Sequence, residues 1–323
     1  MKALQILAPG TFEVHDVPTP EPGPGEVLIK VLAVTTCPHW DMHILGGIPM
    51  FPGVEIRYPY TLGQPGHEAC GDVAAVGAGV RSVAAGDRVC VWRDRGHDVQ
   101  GCYAQYVVVD EPSVIPVPDA LSPQACAPLE LAMCVSAHVM YGERLDAFAG
   151  QRVGVFGLGP AGLVAVQLAR AAGASEVLGF DPIAQRRQLA LALGADRAIE
   201  PDSDEASDFP KRLRPGSIDT AIDCVGMPAV VHQAMTLTNH LVILFAVQRD
   251  PYVFHPEFWG GLTLAGTRRH TREAAEYAAE HLRDGRLDLG AIVTHTVPLG
   301  EYGKAVKLLK DHNAVKVAIL PQE

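Results

Sequence analysis

The sequence has no long apolar run, few aromatic residues and no excess of basic side chains. Only 6% of its 323 residues are aromatic, and the best apolar stretches, 162–169 and 241–247, are shorter than the ~18 residues that a membrane span requires. The 37 acidic residues outnumber the 26 basic ones, which gives a net charge of −11. Because a broadly acidic surface repels phosphate backbones, we do not expect a nucleic acid partner. Since no apolar run is long enough to span a bilayer, we do not expect a membrane partner either.

The cysteines do not form a disulfide pattern. There are seven, an odd number, scattered at positions 37, 70, 90, 102, 126, 134 and 224. The first ten residues lead into Glu13 and Asp16 rather than into the apolar core of a signal peptide. Free thiols or metal ligands in a reducing compartment fit this usage, so a cytoplasmic protein is predicted.

The chain has two regions of different predicted secondary structure, as expected when roughly 150 residues make one domain. Runs rich in Val and Ala, bounded by Gly, Pro or Asp, predict a mostly β region over residues 1–121. From residue 152 onward, short strands alternate with helices, which predicts an α/β Rossmann fold with a doubly wound parallel sheet. The predicted domains are 1–121, 122–266 and a C-terminal segment, 267–323.

A glycine-rich turn joins the first strand of the α/β region to its helix. The first glycine, Gly157, permits a tight turn. The second, Gly159, lets the backbone approach a pyrophosphate closely, and the third, Gly162, allows close packing of the helix on the strand. Free N–H groups at such a helix start, such as that of Ala161, bind phosphates, and Pro160 lies in the same turn, so both are among the predicted contacts. An ordinary glycine-rich turn is the alternative, and the strand before it and the helix after it favour the dinucleotide site.

Asp181 ends the next strand, 19 residues after Gly162. A carboxylate there accepts a hydrogen bond from a ribose 2′-hydroxyl and repels a 2′-phosphate, so the predicted cofactor is NAD rather than NADP. Arg186 and Arg187 follow and would soften this preference if they faced the cofactor. A solvated helix face explains Arg187 better than Arg186, so only Arg186 is retained as a candidate contact.

Two short clusters of metal-ligating side chains lie in the N-terminal half: Cys37, His39, Asp41 and His43, followed by His67 and Glu68. Thiolate, imidazole and carboxylate are the ligands of Zn²⁺, and a catalytic zinc site keeps one position open. Asp41 is a candidate to orient a liganding His67 through its second ring nitrogen. Taken singly, Cys37 is also explained as a small core residue and His67 as a turn histidine.

Motifs along nearly the whole chain carry a resemblance to a known family. They are Gly-His-Glu-Ala-Cys-Gly-Asp-Val at 66–73, Val-Gly-Ala-Gly-Val at 76–80, Gly-Asp-Arg-Val at 86–89, the glycine turn at 157–162 with Asp181, Asp-Thr-Ala-Ile-Asp-Cys-Val-Gly at 219–226, Pro-Leu-Gly at 298–300 and Lys-Val-Ala-Ile-Leu at 316–320. With these motifs in this order, the sequence resembles the medium-chain dehydrogenase/reductase superfamily, in particular its zinc-dependent alcohol and polyol dehydrogenases.

The resemblance implies a β-rich GroES-like catalytic domain, built from both chain ends, and a nucleotide domain, with zinc held by Cys37 and His67 in the cleft between them. It places Glu68 beside the metal, as an alternate ligand or a neighbour of the ligands, and His43 in a proton relay. The cofactor contacts that it implies are Ser136 near the nicotinamide, Lys316 near the pyrophosphate, and Cys224 and Val225 in the 219–226 motif.

The spacing after the first cysteine departs from the family pattern. The family's aspartate stands three residues after the cysteine, with a Ser or Thr between them, whereas Asp41 stands four residues after Cys37. His39 or Trp40 therefore takes the place of the hydroxyl that accepts the alcohol proton. His39 and Thr36 are the candidates to replace that hydroxyl.

The third metal ligand is also displaced. The family places it about 24 or 25 residues before the first glycine of the turn, which here is Met133 or Ala132, and neither is a zinc ligand. Glu130 and Cys134 flank this position. We favour Glu130, because its longer side chain tolerates a shift of the helix start, although a solvent-facing carboxylate at a helix end explains it equally well. The four closely spaced cysteines of the structural-zinc lobe are missing, so one catalytic zinc and no structural zinc are predicted.

Together these features predict a zinc-dependent oxidoreductase that transfers a hydride between NAD(H) and an alcohol or carbonyl substrate: a secondary alcohol, a polyol, an aldehyde or a ketone. The resemblance implies a homodimer or homotetramer. A zinc-free quinone or enoyl reductase of the same superfamily is one alternative, and metal analysis separates the two. A non-catalytic nucleotide-binding scaffold is the alternative of another class, and NADH binding without turnover would indicate it.

Overall fold

A computed structural model describes residues 1–49, 53–248, 250–258, 260–267 and 270–323. The chain divides into two units. Unit 1 comprises Met1–Met133, Ala275–Arg283 and Leu289–Glu323, and unit 2 comprises Cys134–Ala274 and Asp284–Asp288. Both ends of this chain therefore belong to unit 1, and the predicted domain boundary after residue 121 lies within it.

Strands and helices are numbered here in chain order. The strands are β1 Lys2–Ala8, β2 Thr11–Asp16, β3 Glu26–Thr35, β4 Glu68–Val76, β5 Arg88–Val91, β6 Tyr106–Asp110, β7 Val114–Pro116, β8 Arg152–Phe156, β9 Glu176–Phe180, β10 Arg197–Ile199, β11 Ile218–Asp223, β12 Thr238–Leu244, β13 Thr263–Gly266, β14 Val293–Pro298 and β15 Lys316–Leu320. The α-helices are α1 Pro38–Gly46, α2 Pro123–Cys126, α3 Leu129–Glu143, α4 Pro160–Ala171, α5 Ala184–Ala192, α6 Asp204–Ser207, α7 Pro228–Leu237, α8 Arg272–Arg283 and α9 Tyr302–Lys310.

Unit 1 is built on β-strands. β1 and β2 form an antiparallel pair, and a seven-stranded sheet has the order β14-β15-β3-β4-β5-β7, with β6 also pairing with β3. β15 runs parallel to β14 and antiparallel to β3, so it lies between them. The core of this unit is rich in Val and Ile, whose branched side chains pack well on a pleated surface. This sheet holds the ends of β3 and β4, where two predicted metal ligands lie.

Unit 2 is an α/β structure, as predicted. Its six strands are all parallel, in the order β10-β9-β8-β11-β12-β13. The strand order reverses on the two sides of β8. In doubly wound sheets, ligands bind beyond the carboxyl ends of the strands at this reversal, which here are the ends of β8 and β11.

The apolar segment after Ser122 forms two helices rather than one continuous helix. Ser122 is the N-cap of α2, and its Oγ accepts a hydrogen bond from the backbone N–H of Ala125 at 3.2 Å. Helix α2 ends at Cys126, shortly before Pro128, and α3 begins at Leu129. This break places Glu130 in the first turn of α3.

None of the helices in the described part of the chain combines the length and the apolar character that a membrane crossing demands.

Candidate metal centre and nucleotide site

Cys37 lies between β3 and α1, at the N-cap of the helix, with Pro38 in the first helical turn. Its backbone N–H donates to Asp41 Oδ2 at 2.7 Å. A thiolate at a helix N-terminus is favoured by the helix dipole, and a proline there sacrifices no helical hydrogen bond. The local sequence therefore places a potential metal ligand at the end of a rigid strand.

His67 directly precedes β4, and its ring has a defined orientation. Nδ1 lies 2.8 Å from the carbonyl oxygen of Pro65. Because a carbonyl only accepts, Nδ1 carries a hydrogen, so in the neutral ring the lone pair that a metal would take lies on Nε2. This is the tautomer that a zinc-binding histidine needs.

Glu130 brings a carboxylate to the same place: its Oε2 lies 3.8 Å from Nε2 of His67. Ligand atoms of Cys37, His67 and Glu68 lie within 4.8 Å of one another. Burial lowers the pKa of His67, but its hydrogen bond with Cys37 and the negative charges of Glu130 and Glu68 together raise it well above the ordinary value. The surroundings of the imidazole thus attract positive charge, and a thiol, an imidazole and a carboxylate fit the ligand preferences of Zn²⁺.

Glu68 has partners of its own. Lys316 Nζ lies 2.6 Å from its Oε1, and Thr35 Oγ1 donates to its Oε2 at 2.6 Å. Lys316 also donates to the carbonyl of Thr36 at 2.6 Å, and its side chain is fully buried in unit 1. These bonds hold Glu68 as a neighbour of the ligands. The structure assigns the Lys316 ammonium to Glu68, and its contact with a pyrophosphate stays a prediction.

The structure corrects the expected role of Asp41. Its carboxylate does not accept from His67, whose Nδ1 faces Pro65, but from the backbone of Cys37 and from the hydroxyls of Tyr103 and Tyr302. The residue that lengthens the spacing places Asp41 inside α1, one turn beyond Cys37. Burial raises the pKa of Asp41 to about 6, although these three donors lower it.

The two tyrosines were missed by sequence reasoning. They reach Asp41 across 62 and 261 residues of sequence, so no local pattern signals the contact.

Two histidines of the first cluster lie on one face of α1. The rings of His39 and His43, one turn apart, have centroids 5.0 Å apart. Nδ1 of His43 lies 3.1 Å from the carbonyl oxygen of Ile48. This carbonyl requires a hydrogen on Nδ1, so in the neutral ring the lone pair of His43 lies on Nε2.

The glycine turn of unit 2 has the geometry that a phosphate needs. Gly157 has a φ of 87°, which favours glycine, and a Cβ on Gly162 would stand 1.8 Å from the Gly157 oxygen. A Cβ on Gly159 would meet nothing within 4 Å, so open space faces the backbone there. Pro160 and Ala161 start the 12-residue helix α4. Backbone N–H groups at this helix start form an anion site.

Asp181 directly follows β9 and faces this turn. Its Oδ2 accepts from the N–H of Leu158 and its Oδ1 from the N–H of Ile183, both at 2.8 Å. Arg186 Nη1 lies 3.8 Å from Oδ2, whereas Arg187 bonds to the carbonyls of Asp181 and Pro182. Arg186 is therefore the arginine whose side chain stands at the predicted ribose position.

The remaining cofactor candidates in unit 2 lie on α3 and after β11. Ser136 is fully buried and its Oγ has no hydrogen-bond partner. An unpaired buried hydroxyl costs about 1–3 kcal/mol, which a polar ligand group would recover. Cys224 and Val225 follow β11, and the N–H of Val225 donates to Asp223 at 3.0 Å. Cys134, the alternative third ligand, has its Sγ 3.2 Å from His270 Nε2.

Relatives of this chain are dehydrogenases. An L-threonine 3-dehydrogenase from Pyrococcus furiosus is 29% identical over 338 residues, which cover 95% of this chain and 94% of that protein. The crystal structure of 2R,3R-butanediol dehydrogenase from Bacillus subtilis is 25% identical, covers 99% of both chains and has a TM-score of 0.84. An NADP-bound structure from Sinorhizobium meliloti, assigned to the zinc-binding dehydrogenases, is 27% identical over 99% of both chains, with a TM-score of 0.83.

Two family models match the two parts of the chain. The alcohol dehydrogenase GroES-like domain matches residues 23–119, and the zinc-binding dehydrogenase model matches residues 160–278. The fold and the site thus define a zinc-binding dehydrogenase with a GroES-like part and a nucleotide-binding part. The chain belongs to the zinc-dependent alcohol dehydrogenase-like family of the medium-chain dehydrogenases/reductases.

Proposed function

We propose that this protein oxidises a small secondary alcohol or polyol, or reduces the matching carbonyl compound, with one catalytic zinc ion and NAD(H). Its family makes it an oxidoreductase that acts on alcohols with a nicotinamide cofactor. The finer proposal rests on two distances in unit 1: ligand atoms of Cys37 and His67 lie within 4.8 Å of each other, and Glu130 Oε2 lies 3.8 Å from Nε2 of His67.

The three side chains would hold the ion through Cys37 Sγ, His67 Nε2 and one Glu130 oxygen. Bound there, zinc supplies a Lewis acid that lowers the pKa of the substrate hydroxyl and polarises a carbonyl. The Pro65 carbonyl keeps the His67 ring in the required tautomer, and Lys316 with Thr35 keeps Glu68 beside the ligands. These contacts orient the donors before substrate arrives, which is where protein scaffolds contribute to metal catalysis.

The histidines of α1 would carry the substrate proton away. His39 or Trp40 stands where the family has a hydroxyl, and of the two candidates to replace it, His39 and Thr36, our proposal gives His39 the first position of the relay. His43 receives the proton at Nε2, because its Nδ1 is committed to Ile48.

Unit 2 would bind NAD through the turn of Gly157, Gly159 and Gly162. The pyrophosphate is met by N–H groups of α4, and Asp181 accepts from the ribose. Ser136, Cys224 and Val225 complete the proposed cofactor contacts. A nicotinamide bound there would supply the chemistry of hydride transfer.

We also infer a homodimer or homotetramer in the cytoplasm. Among the described strands of unit 2, β13 has a single neighbour, β12, and an unpaired strand edge is a template for a second copy. None of the seven cysteines forms a disulfide, which fits a reducing compartment. Light scattering after gel filtration measures the assembly, and a monomer would contradict it.

Metal analysis and substrate turnover test the proposed function together. The purified protein should contain about one zinc per chain and reduce NAD⁺ with at least one member of a panel of secondary alcohols and polyols. Removal of zinc with a chelator should abolish turnover, and re-addition should restore it. Full activity without metal would indicate the zinc-free reductase, and NADH binding without any turnover would indicate a scaffold.

A further inference from the structure

A buried polar cluster lies behind the first metal ligand. Asp41 is fully buried, and its two carboxylate oxygens accept from three groups. Tyr103 Oη lies 2.9 Å from both oxygens, Tyr302 Oη lies 2.8 Å from Oδ1, and the Cys37 N–H lies 2.7 Å from Oδ2. Both tyrosines are also fully buried.

This cluster ties Cys37 to distant parts of unit 1. Tyr103 precedes β6, and Tyr302 is the first residue of α9. Cys37 itself makes no side-chain cap of α1, so the Asp41 carboxylate is the side chain that fixes its backbone N–H. The orientation of the Cys37 N–H therefore depends on where the two hydroxyls hold the carboxylate.

The hydrogen-bonded cluster around Asp41 contributes less to stability than apolar side chains of similar volume would. A buried carboxylate held by hydroxyl and backbone N–H donors carries a desolvation cost that these donors repay only in part, and an apolar trio of similar volume would pack without that cost. Its three hydrogen bonds do, however, give a defined direction to a backbone group, which apolar packing cannot do.

We propose that Tyr103 and Tyr302 are positioning residues of the metal centre: through Asp41 they set the place of the Cys37 thiolate relative to Nε2 of His67. This inference rests on the metal site of the proposed function. It assigns a role to two tyrosines that touch neither metal nor cofactor, one of them contributed by the C-terminal part of the chain.

Cobalt binding tests the proposal without relying on turnover. Co²⁺ replaces zinc at such sites and gives a visible spectrum that includes a thiolate charge-transfer band. The variant Tyr302→Phe keeps the ring and removes one donor, and Tyr103→Phe removes the other. We expect each to weaken Co²⁺ affinity about tenfold and to alter the thiolate band, as changes behind metal ligands do. Turnover of the zinc form should lose kcat while KM for NAD⁺ is unchanged.

Tyr58→Phe is the matched control. Tyr58 donates to the carbonyl of Ile44 at 2.5 Å, so it also anchors α1, but it does not touch Asp41. Its Co²⁺ affinity and spectrum should equal those of the wild type. Two tyrosines are available, so a variant that misfolds leaves the other to decide.

Each result has one meaning. Wild-type affinity and an unchanged band in Tyr302→Phe or Tyr103→Phe would overturn the positioning role while leaving the proposed function intact. An equal loss in Tyr58→Phe would reduce the effect to general anchoring of α1. A wild-type protein that binds neither Zn²⁺ nor Co²⁺ would refute the proposed function, and this inference with it.

Discussion

The carboxylate of Asp181 stands where it can select the cofactor. It is nearly buried, accepts from two backbone N–H groups and faces Arg186 at 3.8 Å. A carboxylate there repels a 2′-phosphate and accepts a hydrogen bond from a 2′-hydroxyl.

We expect Asp181→Asn to lower the ratio of kcat/KM for NAD⁺ to that for NADP⁺ by about tenfold, because 1.4 kcal/mol of lost discrimination is one factor of ten. Steady-state kinetics with both cofactors measures this ratio. Glu200→Gln removes a carboxylate that pairs with Arg187 and serves as the control, with the ratio unchanged. A wild-type enzyme that uses NADP⁺ as well as NAD⁺ would sink the assignment.

His138 makes the stability of unit 2 depend on pH. Burial lowers its pKa below the ordinary value, and its Nδ1 faces the Cys134 carbonyl at 2.8 Å. When the folded pKa of a base is depressed, the unfolded chain binds the proton first, so stability is complete above pH ~6.5 and falls as the pH drops towards the folded pKa.

The variant His138→Asn keeps a donor for Cys134 and cannot be protonated, so it should lose less stability between pH 7.5 and 5.5 than the wild type. Urea unfolding at several pH values gives both free energies. Parallel pH profiles for the two proteins would mean that the histidine titrates alike in both states.

The sequence identified most of the residues that the metal centre brings together, but not all of their partners. Cys37, His67 and Glu68 are signalled by residue type and by family motifs. The Asp41 partners are not, because Tyr103 and Tyr302 come from segments far away in sequence. One inserted residue was enough to redirect Asp41 from His67 to the Cys37 backbone.

At the scale of elements, two glycines between β8 and α4 have different roles, one in packing and one in ligand binding. A Cβ on Gly162 would collide with the Gly157 oxygen at 1.8 Å, whereas a Cβ on Gly159 would project into open space at a φ of −68°. Gly162 is therefore needed for the close packing of α4 on the turn, whereas Gly159 leaves space for a ligand.

Gly162→Ala should therefore lower the free energy of unfolding by about 2 kcal/mol or more, as overpacking does. Gly159→Ala should leave stability within about 0.5 kcal/mol of the wild type but weaken NADH binding about tenfold. Thermal unfolding and NADH fluorescence titration measure the two effects. If Gly159→Ala bound NADH normally, the pyrophosphate would not lie at this turn.

Element type was more predictable than element boundaries. The alternation of strand and helix from Arg152 onward follows from local pattern and is confirmed in the parallel sheet. The break between α2 and α3 was not predicted, since a proline is acceptable near a helix start as well as beyond a helix end. That break places Glu130 in the first turn of α3, with Cys134 about one turn further along the helix.

At the scale of the whole molecule, the metal ligands and the phosphate turn belong to different units. Removal of zinc should therefore abolish turnover while the dissociation constant of NADH changes less than about threefold, because no predicted phosphate contact includes a metal ligand. Fluorescence titration of the chelated and reloaded enzyme checks this. A tenfold weaker binding of NADH after chelation would show that the two sites are coupled.

Which segments of the chain belong to each unit was only partly predictable. The family resemblance implies that both chain ends build one domain, and unit 1 contains them. The assignment of Ala275–Arg283 to unit 1 and of Asp284–Asp288 to unit 2 had no sequence signal, because amphipathic pattern shows that a helix packs but not against which core.

The position of β15 beside β3 has a consequence for biosynthesis. Thr35 pairs with Ala318, which the ribosome adds 283 residues later. At about 5–20 residues per second, the nascent chain carries an unfinished sheet edge for roughly 15 to 60 s, while the six strands of the nucleotide unit emerge and close first. Unit 1 is thus the last to be completed, and a translation product that ends before α9 would lack Tyr302, the partner of Asp41, and Lys316, the partner of Glu68.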